Sequence, residues 1–391
     1  MPSKGVARKD KIAMNLFGRQ SKTIASIIGT LFLSVLIVAC GSSNGGGGSN
    51  TINGNNGKGC MKIGVLLPET ATSFRWDSVD RPDLQRDIPA ALPGATVDYA
   101  NAQGNADQQK TQADAALTKG DCILVVAPSD AVKASAIVAE AKADNVPVIT
   151  YDRLIQSNDL AAYVSFDGVA VGELQGQYIV NHYKNFVKKG VGNVAMINGS
   201  KTDNNALLFA KGAHNKLDPL FSSGVLKNVY EQFTPNWDNP TAQTEMQAAL
   251  TANANNIQIA YVANDGMAAT VIAALKQQKL NGHVLVTGQD ASIAGLQNIM
   301  LGDQSMTVFK DISLEAQATA NVVAAISKGN SISSLTNGAT TATQGGANIP
   351  SVLETPEAID KTNVMKVITA GFYTLAQVCQ GLPSGTGGIC P

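Results

Sequence analysis

From Met61 onward, short apolar runs alternate with longer amphipathic ones. "KIGVLLP", "ATVDYA", "CILVVAP", "VPVITYD" and "AAYVSFD" have the length and β-branched content of strands. Between them, "NADQQKTQADAALTKG" and "SDAVKASAIVAEAKADN" repeat their apolar positions at helical spacing. Apolar strands separated by helical spacers predict a parallel sheet covered on both faces. A second series follows, with strands "NVAMING", "VLKNVYEQF", "IQIAYVAND", "HVLVTGQD" and "SMTVFKD". Its helices include "NPTAQTEMQAALTANAN", "GMAATVIAALKQQKL" and "LEAQATANVVAAISKG". No polar linker divides the two series. The pattern therefore predicts an α/β protein of two doubly wound parallel-sheet lobes facing each other across a cleft.

The pattern is different at the front of the chain. Lys4, Arg8, Lys9, Lys11, Arg19 and Lys22 precede the apolar run "IASIIGTLFLSVLIVAC", with no acid after Asp10. That is the charged and then apolar layout of an export signal. Ile37, Val38, Ala39 and Cys40 match the bacterial lipobox, whose cysteine becomes the lipidated N-terminus; an uncleaved membrane anchor is the alternative. Residues 1–39 are thus expected to be a signal, and residues 40–59 a lipidated cysteine with a flexible tether, "GSSNGGGGSNTINGNNGKG". Such a tether reaches about 24 Å root-mean-square. The folded chain then divides into an N-terminal lobe at 60–167 and a second lobe at 168–311. Residues 312–391 supply a crossover helix, a hinge return and a C-terminal segment, parts of which rejoin the first lobe. An extracytoplasmic, lipid-anchored location follows, with a monomer as the expected state.

Composition narrows the partners. The 391 residues are 44% hydrophobic and 15% charged, with a formal net charge of -1. A near-neutral chain lacks the basic footprint that nucleic acid requires. Four cysteines remain after Cys40, and an even number in an exported chain suggests bridges. In the usual sheet order 2-1-3-4-5, Cys60 and Cys122 begin neighbouring strands. That favours Cys60 with Cys122 and leaves Cys379 with Cys390, free thiols being the alternative.

Ligands of open α/β sheets bind outside the carboxyl ends of the strands. Those ends deliver Arg75 and Trp76, Asp152 and Arg153, then Asp203, Asn204 and Asn205. Trp237, Asn264 with Asp265, Gln289 with Asp290, and Lys310 with Asp311 complete the set. Planar polar groups with an aromatic wall suit a sugar, whose vicinal hydroxyls donate to carboxylates and accept from guanidinium or amide groups. Its C–H face packs on an aromatic ring. Hydrogen bonds to charged groups contribute about 1.5–3 kcal/mol each. Asp265 precedes a helix and is expected to be its N-cap, whereas Asp290 is expected to face the ligand. Signs of catalysis are few. His182, His214 and His283 lack metal-ligand spacing, and no nucleophile elbow or phosphate-binding glycine loop occurs. No metal, cofactor or enzymatic activity is expected.

The motifs "FRW", "ITYDRLI", "YVSFDGVAVGELQ", "TDNNALLFAKGA", "NDGMAA", "GQDASIAG" and "MTVFKDI" occur in that order. Together they resemble the pentose- and hexose-binding periplasmic family of sugar ABC importers, and within it the xylose-binding branch. The resemblance covers roughly residues 62–375. It implies two lobes joined by three crossings, closing on a monosaccharide that is passed to an ABC permease. It assigns sugar contacts to Arg75, Asp152, Arg153, Asp203, Asn205, Asn264, Asp290 and Lys310, and stacking to Trp237, with Trp76 at the matching motif. A secreted glycosidase, a transcription regulator of the sugar-sensing type and a binder of ribose, glucose, galactose or arabinose are the competing readings.

Overall fold

The computed structural model describes residues 56–391; the export signal, Cys40 and most of the tether lie outside the described residues. The first apolar runs form β1 (Lys62–Leu67), β2 (Thr96–Asn101), β3 (Ile123–Val126), β4 (Val148–Tyr151) and β5 (Ala162–Phe166). They pair in parallel in the order β2-β1-β3-β4-β5. β3 and β4 are buried along their whole length, as strands covered on both faces must be. Helices α1 (Arg81–Ala91), α2 (Ala106–Lys119) and α3 (Ser135–Ala143) lie between them. Cys60 and Cys122, just ahead of β1 and β3, are joined in a disulfide.

The second lobe begins with α4 (Gly168–His182). It continues through β6 (Gly192–Asn198), α5 (Asn204–Ser222), β7 (Leu226–Phe233), α6 (Asn239–Ala252), β8 (Ile259–Val262), α7 (Asp265–Gln277) and β9 (Leu285–Val286) to α8 (Ile293–Leu301) and β10 (Met306–Phe309). Its parallel sheet runs β7-β6-β8-β9. The expected strand "HVLVTGQD" is reduced to two residues, and the chain turns further on at Asp290, with φ of 98°. β10 still lies alongside, with the N–H groups of Ser305, just ahead of it, and Val308 donating to the Val286 and Gly288 carbonyls. α4 and α5 pack with their backbones almost in contact. A Cβ on Gly172 would lie 1.9 Å from the Phe209 carbonyl oxygen, so only glycine fits there.

After β10 the chain returns to the first lobe as α9 (Ile312–Ser327), which contributes Ala316, Ala320 and Val323 to the core beneath β1 and β3. β11 (Thr340–Ala342) and β12 (Asn348–Glu354) then extend the first sheet, β12 parallel to β5. Finally β13 (Glu357–Asp360) crosses to pair antiparallel with β10. The C-terminal segment packs against α8, closed by the Cys379–Cys390 disulfide. Three crossings therefore join the lobes: at Asp167, at Lys310–Asp311 and at Thr355–Pro356. Asp167 and Asp311 cap the helices that follow, accepting from the Ala170 and Ser313 N–H groups.

Candidate functional site

The ten residues that the resemblance places at the site line a single cleft between the lobes; Asn204, Asp265 and Asp311, also at strand ends, do not. Thr72, Ser73, Phe209 and Gln289 join the ten. The lobes meet around the cleft, with the Ala131 N–H donating to the Thr202 carbonyl and Gln156 Nε2 to Asn204 Oδ1.

Asp152 is the hub. β4 ends at Tyr151, and Asp152 turns the chain with φ of 58°, a conformation that costs energy for a residue with a Cβ. The surroundings hold it there. Its carbonyl accepts from Tyr163 OH, Ser165 Oγ and Asn205 Nδ2, and its N–H donates to Val164. The carboxylate accepts from Arg75 Nη1 at 2.7 Å, Asn205 Nδ2 at 3.0 Å and Lys310 Nζ at 3.5 Å. Burial alone would raise the Asp152 carboxyl, but Arg75, Lys310 and Arg153 outweigh it and hold the group well below its ordinary value.

Asp152 and Arg153 do not pair with each other. Arg153 Nε instead reaches Asp203 Oδ2 of the other lobe at 2.8 Å. Burial pushes the Asp203 carboxyl upward, with Arg153 opposing. Arg75 is held on both edges: Nε and Nη2 grip Asp80 at 2.9 and 2.6 Å, and Nη2 also reaches Glu315 Oε2 at 3.1 Å. Bidentate pairing of this kind fixes a guanidinium in place as well as neutralising it. Burial, with Asp152 and Asp80 nearby and Arg75 opposing, pushes Glu315 well above its ordinary value.

The two tryptophans have different parts. Trp237 closes the second-lobe side, with φ of 57°, its Nε1 donating to Asp203 at 3.2 Å. Its ring lies against Gly199, where a Cβ would come within 2.1 Å of it, so the position requires glycine. Phe209 from α5 meets it edge-on, ring centroids 6.4 Å apart. Trp76 is only 2% exposed, and Nε1 is tied to Glu69 at 3.0 Å. The Arg75 and Arg153 guanidiniums lie over its ring at 4.5 and 5.1 Å, so it is a platform for two arginines as well as a wall.

On the second lobe, Lys310 Nζ lies 3.6 Å from Asp290 Oδ1. Asn264, not Asp265, caps α7, accepting from the Met267 N–H. The expected cap at Asp265 is therefore corrected. Its carboxylate is buried and accepts from the Ser292 N–H, Gln304 Nε2 and Thr307 Oγ1, tying the loops behind the site together. Sequence reasoning placed Gln289 at a strand end without singling it out as a contact, and gave Phe209 no ligand role. Gln289 Oε1 is buried without a hydrogen-bond partner among the described residues, a free acceptor at the cleft wall.

Residues 83–331 match the model of the periplasmic binding protein domain. The chain is 37% identical over 321 residues to the D-xylose-binding periplasmic protein of Haemophilus influenzae, covering 80% of this chain and 91% of that one. It belongs to the periplasmic binding protein family, among its sugar-binding members. This periplasmic sugar-binding protein is also 33% identical to the multiple sugar-binding periplasmic receptor ChvE of Rhizobium radiobacter, over 80% of this chain and 90% of the receptor. Among solved structures, an ABC transporter solute-binding protein from Clostridium phytofermentans with bound β-D-glucose superposes with a TM-score of 0.73. The two are 30% identical, over 81% of this chain and 99% of that one. The protein is thus a substrate-binding component of sugar ABC transport and not an enzyme.

Proposed function

We propose that the cleft binds an aldopyranose monosaccharide, D-xylose in preference to others, and delivers it to an ABC permease from a lipid-anchored position outside the cytoplasm. The observation that carries the reading is the ring of polar groups around Trp237. Asp152, Asp203, Asn205, Asn264, Asp290 and Lys310 converge with Arg75 and Arg153 on one small volume. These groups are the proposed sugar contacts. A flat aromatic wall favours a ring whose hydroxyls are all equatorial and whose axial C–H bonds form an apolar face. Xylopyranose is the pentose with that stereochemistry. Glucose adds a hydroxymethyl group that must displace a wall group or leave polar atoms unpaired, at about 1–3 kcal/mol per group. That weakens binding roughly ten- to a hundredfold.

Calorimetry on the full chain against xylose, glucose, ribose, galactose and arabinose tests the reading. Xylose should bind most tightly, Asp290→Ala should remove most of the affinity, and Trp237→Ala should weaken every sugar. Ribose or glucose binding more tightly than xylose would overturn the preference. A second reading keeps the site and changes the cargo. The likeness to the glucose-bound solute-binding protein and to the multiple-sugar receptor favours a broader aldopyranose range. Anchoring through Cys40 is part of the proposal, since the lipobox motif precedes a long polar tether. Cys40→Ala should leave protein that no longer partitions with membranes; a variant as membrane-bound as its parent would overturn the anchor.

A further inference from the structure

A second, half-open hollow adjoins the sugar cleft. Thr72, Ser73, Asn264 and Asp290 belong to both walls, so the two hollows adjoin across these four side chains. Their chemistry differs. Away from the shared residues, the wall is Phe74 from the first lobe and Ala269, Ile293 and Ala294 from α7 and α8 of the second. Beyond the shared residues, the polar side chains are already engaged. Thr70 Oγ1 donates to Gln103, Ser292 Oγ accepts from the Gly295 N–H, and Asp265 holds three donors of its own. A second sugar ring would find few partners for its hydroxyls there. An apolar ring would find Phe74, which is 40% exposed, set 6.3 Å from the Tyr373 ring at a fixed tilt.

We propose that this vestibule receives the aglycone of an aryl glycoside whose sugar occupies the cleft. The inference rests on the sugar reading above and extends the ligand class from free monosaccharides to their flat, apolar aryl glycosides. A substituent on the sugar position facing Thr72, Ser73 and Asp290 points toward the vestibule, with only these side chains between. Once there, it covers the exposed face of Phe74, and offset or edge-on aromatic contact adds to the area removed from water. No bond is made or broken.

The test is calorimetry on the full chain with D-xylose, D-glucose and the phenyl α- and β-glycosides of both. At least one phenyl glycoside should bind within about threefold of its free sugar or more tightly. Phe74→Ala should weaken that glycoside about tenfold while leaving the free sugar within about twofold. Ala294→Phe, which fills the vestibule, should do the same. Three outcomes overturn the inference while sparing the sugar reading. In the first, every phenyl glycoside binds at least a hundredfold more weakly than its free sugar. In the second, the glycoside binds and neither variant affects it. In the third, both variants weaken the glycoside and the free sugar alike. If no free sugar binds, the sugar reading falls and this inference falls with it.

Discussion

Asp152 faces two cationic side chains, Arg75 and Lys310, and carries its backbone in the left-handed region. Replacing it with asparagine keeps the shape and removes the charge that both neutralise. Breaking a buried pair from one side typically costs about 3–5 kcal/mol. Asp152→Asn should therefore unfold at markedly lower denaturant and lose sugar affinity; urea titration checks the first effect. The same carboxylate sets a pH response. Its folded value lies below its unfolded one, so its contribution is present above the ordinary carboxylate range and is lost as pH falls through the depressed value. Gly199→Ala is a second test at this scale, because the added methyl collides with the Trp237 ring. Sugar affinity should fall about tenfold or more with a changed tryptophan emission; unchanged emission and affinity would show that the ring is placed by something else. Strand-end reasoning located Asp152, Arg153 and Lys310 because each follows an apolar run directly. It missed Phe209, which lies inside α5 and resembles any core aromatic, and it gave no role to Gln289, whose free acceptor is visible only once its neighbours are placed.

At the scale of elements, α5 and β7 are joined through His214, whose ring nitrogens contact Asp218 at 2.7 Å and Glu231 at 3.1 Å. The hydrogen bond to Glu231, with Asp218 assisting against partial burial, pushes His214 up to about 9 from an ordinary 6.5. A raised folded value stabilises fully below the unfolded one, and that stability is lost as pH rises from 6.5 through 9. The melting temperature should decline across that window, and His214→Gln should flatten the decline; an equal slope in both proteins would exclude this pair as its source. The parallel strands of the first lobe were legible because burial on both faces leaves uninterrupted apolar runs. β11, β12 and β13 were not. "TTA" carries no apolar period, "NIPSVLE" contains Pro350, and β12 finds its place only by pairing with β5, far back in the chain. The cap of α7 fell one residue from its expected position, since Asn264 and Asp265 are both capping residues and only geometry separates them.

Across the whole molecule, groups from both lobes meet around the cleft, as in Arg153 with Asp203 and Asp152 with Lys310. Those cross-lobe pairs part when the lobes separate, and a bound sugar adds bonds that only the closed arrangement can make. Saturation with a tight ligand should shrink the radius of gyration in small-angle scattering; an unchanged profile would count against closure. Thermal stability should rise as well, by about 2.7 kcal/mol at a hundredfold excess over Kd.

Lys310 belongs to one of the three crossings while its ammonium faces Asp152 and Asp290. A lever is most sensitive when the load is applied close to its pivot, where a small displacement at the contact gives a large swing at the rim. Anything that draws this ammonium toward the cargo acts on the backbone joint between β10 and α9 without an intervening relay. On the proposed reading, occupancy and lobe angle are sensed by one side chain. Among the proposed sugar contacts, a change at position 310 should disturb the timing of opening as much as the strength of capture.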